Sequence, residues 1–185
     1  MTTSAIHPES TMAELEAAFP GARRALFSRY HLGGCNTCAY SPTETVAQLC
    51  ARHDHLPVEE MLAHVEASHE NDLQMQLSPS EVAAALRGPE PPRLLDLRTR
   101  EEFEAVHISG SELMTEALHS QLIAEGTESD FLVLIDHTGP QALDAVAFLV
   151  GHGLRGAKAL AGGIDAWSRE VDPSLPRYRI ELEEG

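Results

Sequence analysis

Two stretches of the chain carry residues that could do chemistry. The first is Cys35-Asn36-Thr37-Cys38, a thiol pair directly behind Gly33-Gly34. Cysteines at that spacing can close a disulfide within one turn, or supply one half of a metal site. A helix expected just downstream places a partial positive charge nearby, which favours thiolate. The second is Asp136-His137-Thr138-Gly139-Pro140-Gln141, a polar turn that follows Phe131-Leu132-Val133-Leu134-Ile135. That apolar run cannot alternate faces, so it suits a strand buried on both sides. From Pro140 the period changes, with Leu143, Val146, Ala147 and Val150 on one helical face. Strand, tight loop and helix start is where open α/β sheets receive ligands, because loop amides and a helix N-terminus favour an anion.

The elements that must hold these stretches fall into two expected domains, residues 1–72 and 73–185. The first reads as all helix. Thr11 and Glu14 form a capping box, and Pro20-Gly21 ends that helix. Residues 22–31 make a second helix with Ala22, Leu26, Phe27 and Tyr30 inward, stopped by Gly33-Gly34. Ser41-Pro42-Thr43-Glu44 predicts a third helix, with Ser41 as N-cap and Pro42 at the first helical position. Its inner face is Val46, Leu49 and Cys50. Leu56-Pro57-Val58-Glu59-Glu60 opens a fourth, and Asn71-Asp72 marks the junction.

The second domain alternates strands and helices, which gives a parallel sheet flanked by helices on both faces. Residues 74–76 make a short strand, and Ser78-Pro79-Ser80-Glu81 opens a helix. Strands follow at 94–97, 131–135 and 157–160, with 112–114 a strand or a loop. Helices are expected at 100–105, 115–124, 140–152 and 164–169. The tail after Pro173, with Tyr178-Arg179-Ile180, either adds an edge strand or covers one.

Four segments of this second half, in order, resemble the rhodanese family. Residues 94–103, Leu-Leu-Asp-Leu-Arg-Thr-Arg-Glu-Glu-Phe, are similar to its strand ending in Asp-x-Arg and the helix that follows. His107-Ile108-Ser109-Gly110-Ser111 resembles its His-Ile-x-Gly-Ala turn. Residues 131–141 resemble its active-site strand and loop. Leu160-Ala161-Gly162-Gly163-Ile164-Asp165-Ala166-Trp167 resembles its closing Gly-Gly-x-x-x-Trp segment. The resemblance implies a rhodanese-like α/β domain over residues 73–185, behind an all-helical mini-domain. It also implies a cysteine nucleophile directly after the central strand, and here that position is Asp136. Gln141 stands where active members often carry a basic residue. A carboxylate cannot carry a persulfide sulfur, and residues 73–185 contain no cysteine. The loop Asp136, His137, Thr138, Gly139, Pro140, Gln141 is therefore expected to be inactive as a sulfurtransferase.

The helical half is similar to small redox-disulfide domains found beside hybrid-cluster proteins. The matching residues are Phe19-Pro20-Gly21, residues 30–38, Glu44-Thr45 and residues 56–60. That resemblance implies redox thiols at Cys35 and Cys38. No cofactor is expected. The alternative is zinc or an iron–sulfur cluster at Cys35, Cys38 and Cys50; a complete zinc site would need Cys50 together with His53 or His55. Cys50 otherwise reads as a small apolar filler. His7, His64, His69, His119 and His152 show no partner pattern, and a structural role is expected for His107.

The net charge of −16, with twelve Arg and one Lys, argues against nucleic acid and against acidic membrane surfaces. No apolar run is long enough to span a bilayer, and the N-terminus lacks the pattern of a secretory signal. A cytoplasmic protein is expected. Its function is read as thiol-redox or sulfur-relay chemistry through Cys35 and Cys38, with the second domain docking an unidentified protein partner or a small anion. The alternatives are a non-enzymatic binding module and a metal or iron–sulfur protein.

Overall fold

Reciprocal capping shapes the first half of the chain. In the computed structural model, which describes residues 6–33, 39–53 and 55–178, the helices are α1 (Met12–Ala18), α2 (Ala22–Tyr30), α3 (Val46–Arg52) and α4 (Val58–Gln74). The capping box of Thr11 and Glu14 starts α1. The third helix begins later than its sequence predicts. Thr45 is its N-cap, boxed with Gln48, and residues 41–44 form a turn. The reason is non-local. The carbonyls of Pro42 and Glu44 accept from the N–H groups of Ala13 and Met12, 2.9 and 2.8 Å, and so satisfy the first turn of α1. Ser10 and Pro8 do the same for Val46 and Ala47 of α3. Committed to α1, residues 42–44 cannot also enter a helix.

Met12, Leu15, Leu26, Leu49 and Met61 are completely buried and make this unit's core, with Cys50 among them. Phe27, expected inward, is 49% exposed. The small Ala22 and Ala25 and the neighbouring Leu26 take the inner face of α2, leaving Phe27 edge-on to His31. α4 runs past Asn71-Asp72 to Gln74. Asp72 is buried and paired with Arg24 of α2. Gly21 admits this carboxylate, because a Cβ there would collide with it.

The chain divides into two compact units, Met1–Gln74 and Met75–Gly185. The second contains β1 (Gln76–Leu77), α5 (Pro79–Ala85), β2 (Arg93–Asp96), α6 (Arg100–Ala105), β3 (Glu112–Leu113), α7 (Glu116–Glu125), β4 (Leu132–Ile135), α8 (Pro140–Gly151), β5 (Ala157–Leu160) and α9 (Gly163–Glu170). The sheet is parallel throughout, in the order β1-β5-β4-β2-β3. β4 lies at its centre. Leu132 and Leu134 face one layer with Leu122 of α7 and Leu143, Val146 and Leu149 of α8. Val133 and Ile135 face the other, with Val82 of α5 and Ile164 and Trp167 of α9. Both faces of the strand need apolar side chains, which is why its sequence shows no alternation. The first strand lies at Gln76–Leu77, shifted from the expected 74–76 because α4 extends through Gln74. Among the described residues no helix is long and apolar enough to cross a membrane.

Candidate functional site

The loop after β4 is held from both sides. On one side α8 starts at Pro140, with Gly139 as its N-cap at φ 111°. A side chain at Gly139 would be strained at that φ and would crowd the backbone of Gly162. On the other side the carbonyls of Asp136 and His137 accept from Ile164 and Asp165, 2.9 and 3.1 Å, at the start of α9. Gly163 is required there, because a Cβ would meet the Asp136 and His137 carbonyl groups at 2.5–2.6 Å.

Inside this turn sits the Asp136 carboxylate, only 2% exposed. Its Oδ1 accepts from the Gly139 N–H at 2.5 Å and its Oδ2 from the Gln141 N–H at 2.8 Å. Amides that could hold an external anion are thus occupied by the chain's own carboxylate. Burial pushes the Asp136 carboxyl up from its ordinary pKa, and the N–H groups of Gly139 and Gln141 pull it back only in part. The loop side chains of Thr138 and Gln141 are exposed, and His137 is half-buried.

A second charged group braces the same end of the sheet. Asp96 and Arg98, 0% and 2% exposed, pair through Arg98 Nη2 and Asp96 Oδ2 at 2.6 Å and Arg98 Nε and Asp96 Oδ1 at 2.9 Å. Arg98 also donates to the Val106 carbonyl at 2.7 Å and to the Tyr178 hydroxyl at 2.8 Å. Burial opposes the charge on Arg98, yet Asp96 and Tyr178 outweigh it and keep the guanidinium protonated.

Near the loop an open cleft of about 380 Å³ is lined by His137, Thr138, Asp165, Arg177 and Tyr178. The sequence singled out His137 and Thr138 but not Asp165, Arg177 or Tyr178 as part of a site. Only one signal pointed to the last two, an aromatic beside an arginine in an otherwise acidic tail. His107 supports structure: its Nδ1 lies 2.8 Å from the Phe103 carbonyl oxygen and its ring stacks on Phe103.

The profile of the rhodanese-like domain matches residues 78–170, just over half of the chain. The chain belongs to the rhodanese-like domain family. Within that family it is similar to the adenylyltransferase and sulfurtransferase MOCS3-1 of Zea mays, 36% identical over 97 residues, which are 48% of this chain and 20% of that protein. It is similar to the adenylyltransferase and sulfurtransferase UBA4 of Candida albicans, 24% identical over 115 residues, 58% of this chain and 26% of that protein. The rhodanese-like chain therefore spans about a fifth to a quarter of the length of these relatives. The reduced CoADR-RHD structure of Bacillus anthracis aligns at a TM-score of 0.50 and 15% identity, over 74% of this chain and 23% of that one, and shares the fold.

Cys35 and Cys38 lie outside the described residues. Cys50 is 2% exposed, and burial pushes its thiol up. His53 and His55 are not gathered around it, and His53 Nε2 lies 2.8 Å from Arg52 Nη1. Among the described residues no group of three or more His, Cys, Asp or Glu side chains is placed to hold a metal ion.

Proposed function

We propose that this rhodanese-like chain does not transfer sulfur through its family loop, and that its chemistry belongs to the Cys35–Cys38 pair of the helical unit, as a thiol-redox or sulfur-relay protein. The single observation that carries the first part is Asp136 at the loop start, with Oδ1 bound to Gly139 and Oδ2 to Gln141. A sulfurtransferase loop needs a thiolate there, to take sulfur as a persulfide, and free amides to stabilise it. Here no thiol is offered, the Gly139 and Gln141 amides are taken by Asp136, and residues 73–185 hold no cysteine to substitute. The kinship with proteins named sulfurtransferases supports a sulfur-relay setting. The occupied amides favour a protein partner over a small anion at this loop.

The thiol part rests on spacing and on Cys50. A buried thiol pushed up by burial stays protonated and slow, which leaves Cys35 and Cys38 as the reactive pair. Reversible closure is a two-electron oxidation of two thiols to one disulfide, with glutathione disulfide as oxidant and two glutathione thiols as product. Mass spectrometry across a glutathione series tests it. A loss of two hydrogens confined to the peptide carrying Cys35 and Cys38, reversed by reductant, is expected; separate glutathionylation of each without an internal bridge overturns it. Thiocyanate formation from thiosulfate and cyanide is expected to be absent. Activity that survives replacement of all three cysteines by serine overturns the reading of the loop. Metal analysis of the same preparation separates this reading from a zinc or iron–sulfur protein.

A further inference from the structure

Residues 173–178 follow α9 and fold back against the end of the sheet that carries the loop. Ser168 Oγ donates to the Leu175 carbonyl at 2.6 Å. Arg177 Nε lies 2.7 Å from Asp165 Oδ1. The Tyr178 hydroxyl accepts from Arg98 Nη1 and donates to Glu102 Oε1, each at 2.8 Å. Leu175 and Tyr178 pack against the cluster that contains Ile135, Ile164 and Trp167. The Tyr178 ring meets the His137 ring edge-on, with centroids 4.5 Å apart. His137 Nδ1 is buried there without a hydrogen-bond partner.

The geometry points to residues 173–178 as a strap that covers the His137 side of the 136–141 loop, seated by Tyr178 in a subsite that selects a phenol. The selectivity follows from the two groups that grip the hydroxyl. Arg98 offers only donors, and an ionised Glu102 only acceptors. A group between them must accept from one and donate to the other. A hydroxyl does both, whereas a carboxylate would face Glu102 and an ammonium would face Arg98. The flat ring suits the edge of His137. Arg98 cannot follow a departing strap, because Asp96 and the Val106 carbonyl hold it. The subsite therefore persists when the strap lifts, and a tyrosine side chain of a partner protein can take the place of Tyr178. The strap lies outside the part of the chain that matches the family profile.

Access to His137 tests this. Diethyl pyrocarbonate modification of its imidazole is followed by mass spectrometry in the full chain, with His64 of the helical unit as internal control and Trp167 emission as the check on folding. Tyr178→Ala is expected to raise the His137 rate about ten-fold, as fits a segment held by a few hydrogen bonds of modest net strength. Tyr178→Phe, which keeps the ring, is expected to give a smaller rise. In a chain ending at Asp172, the peptide Pro173-Ser174-Leu175-Pro176-Arg177-Tyr178 and p-cresol are expected to slow the reaction again, while benzoate does not. A His137 rate unchanged in Tyr178→Ala overturns the strap, and so does an equal rise at His64. Protection by benzoate as strong as by p-cresol overturns the phenol subsite. If the shortened chain does not fold, the point variants decide the strap, and p-cresol added to Tyr178→Ala decides the subsite.

Discussion

Each unit of this protein pairs a buried aspartate with an arginine, and the two pairs are buried to different depths. In the helical unit Arg24 stays 24% exposed while its partner Asp72 is 3% exposed, so water reaches one side of the pair. In the sheet unit Arg98 and Asp96 are 2% and 0% exposed, and the guanidinium donates to Asp96, Val106 and Tyr178. The first pair fastens one helix to another. The second sets the position of the surface on which the loop and the strap meet. The same contrast holds for reactive groups: all three cysteines fall in the helical unit, and the sheet unit has none. Scaffold and thiols have parted company in this chain, and the charge kept at the end of the sheet serves position.

Breaking the deeper pair gives the largest effect. Arg98→Ala leaves Asp96 charged and unpaired at zero exposure, and is expected to cost about 3–5 kcal/mol. Urea melts followed by Trp167, the only tryptophan and a member of the sheet unit's core, measure it. Arg24→Ala in the helical unit is expected to cost less, about 1–2 kcal/mol, because water can reach Asp72 through the space that opens; alkylation of the buried Cys50 thiol in urea, mapped by mass spectrometry, reports that unit. An equal cost for the two would remove the distinction between fastening and positioning. Asp136→Ala falls between those two, at about 1–3 kcal/mol, since it strands the buried Gly139 N–H while the exposed Gln141 can turn to water. Cys50→Ala, which removes one sulfur from a packed core, is expected to cost about 1 kcal/mol.

The two units should also respond to pH with opposite sign. Asp136 has its native pKa raised by burial. Its contribution is fully present below the unfolded carboxylate value, near 3.9, and is lost as pH rises through the raised native value. Glu44 is the reverse case, lowered by its hydrogen bond to Arg52. It stabilises above the unfolded value and that stabilisation is lost on acidification. Urea melts from below the ordinary carboxylate range up to neutral pH should therefore show wild type losing ground to Asp136→Asn as pH rises. Against Glu44→Gln, wild type should lose ground as pH falls. Parallel trends in the two variants would contradict the assigned environments.

Much of the fold was legible because its causes are local. The unbroken run of β4 reports burial on two faces, the capping boxes of Thr11 and Ser78 place two helix starts, and Gly139 and Gly162-Gly163 mark close backbone approach. The carboxylate at Asp136 was equally plain in one dimension, and a cysteine-free second half is a property of composition alone. What the sequence could not reveal depends on partners far along the chain. The third helix starts at Val46 because the carbonyls of Pro42 and Glu44 are used by α1, some thirty residues upstream. Phe27 faces outward because its smaller neighbours pack inward. Tyr178 joins the site because Arg98, separated from it by 80 positions, meets it at 2.8 Å. Periodicity and caps read contacts a few residues apart, whereas the strap and the grip on Arg98 exist only after the sheet has assembled and brought its distant ends together.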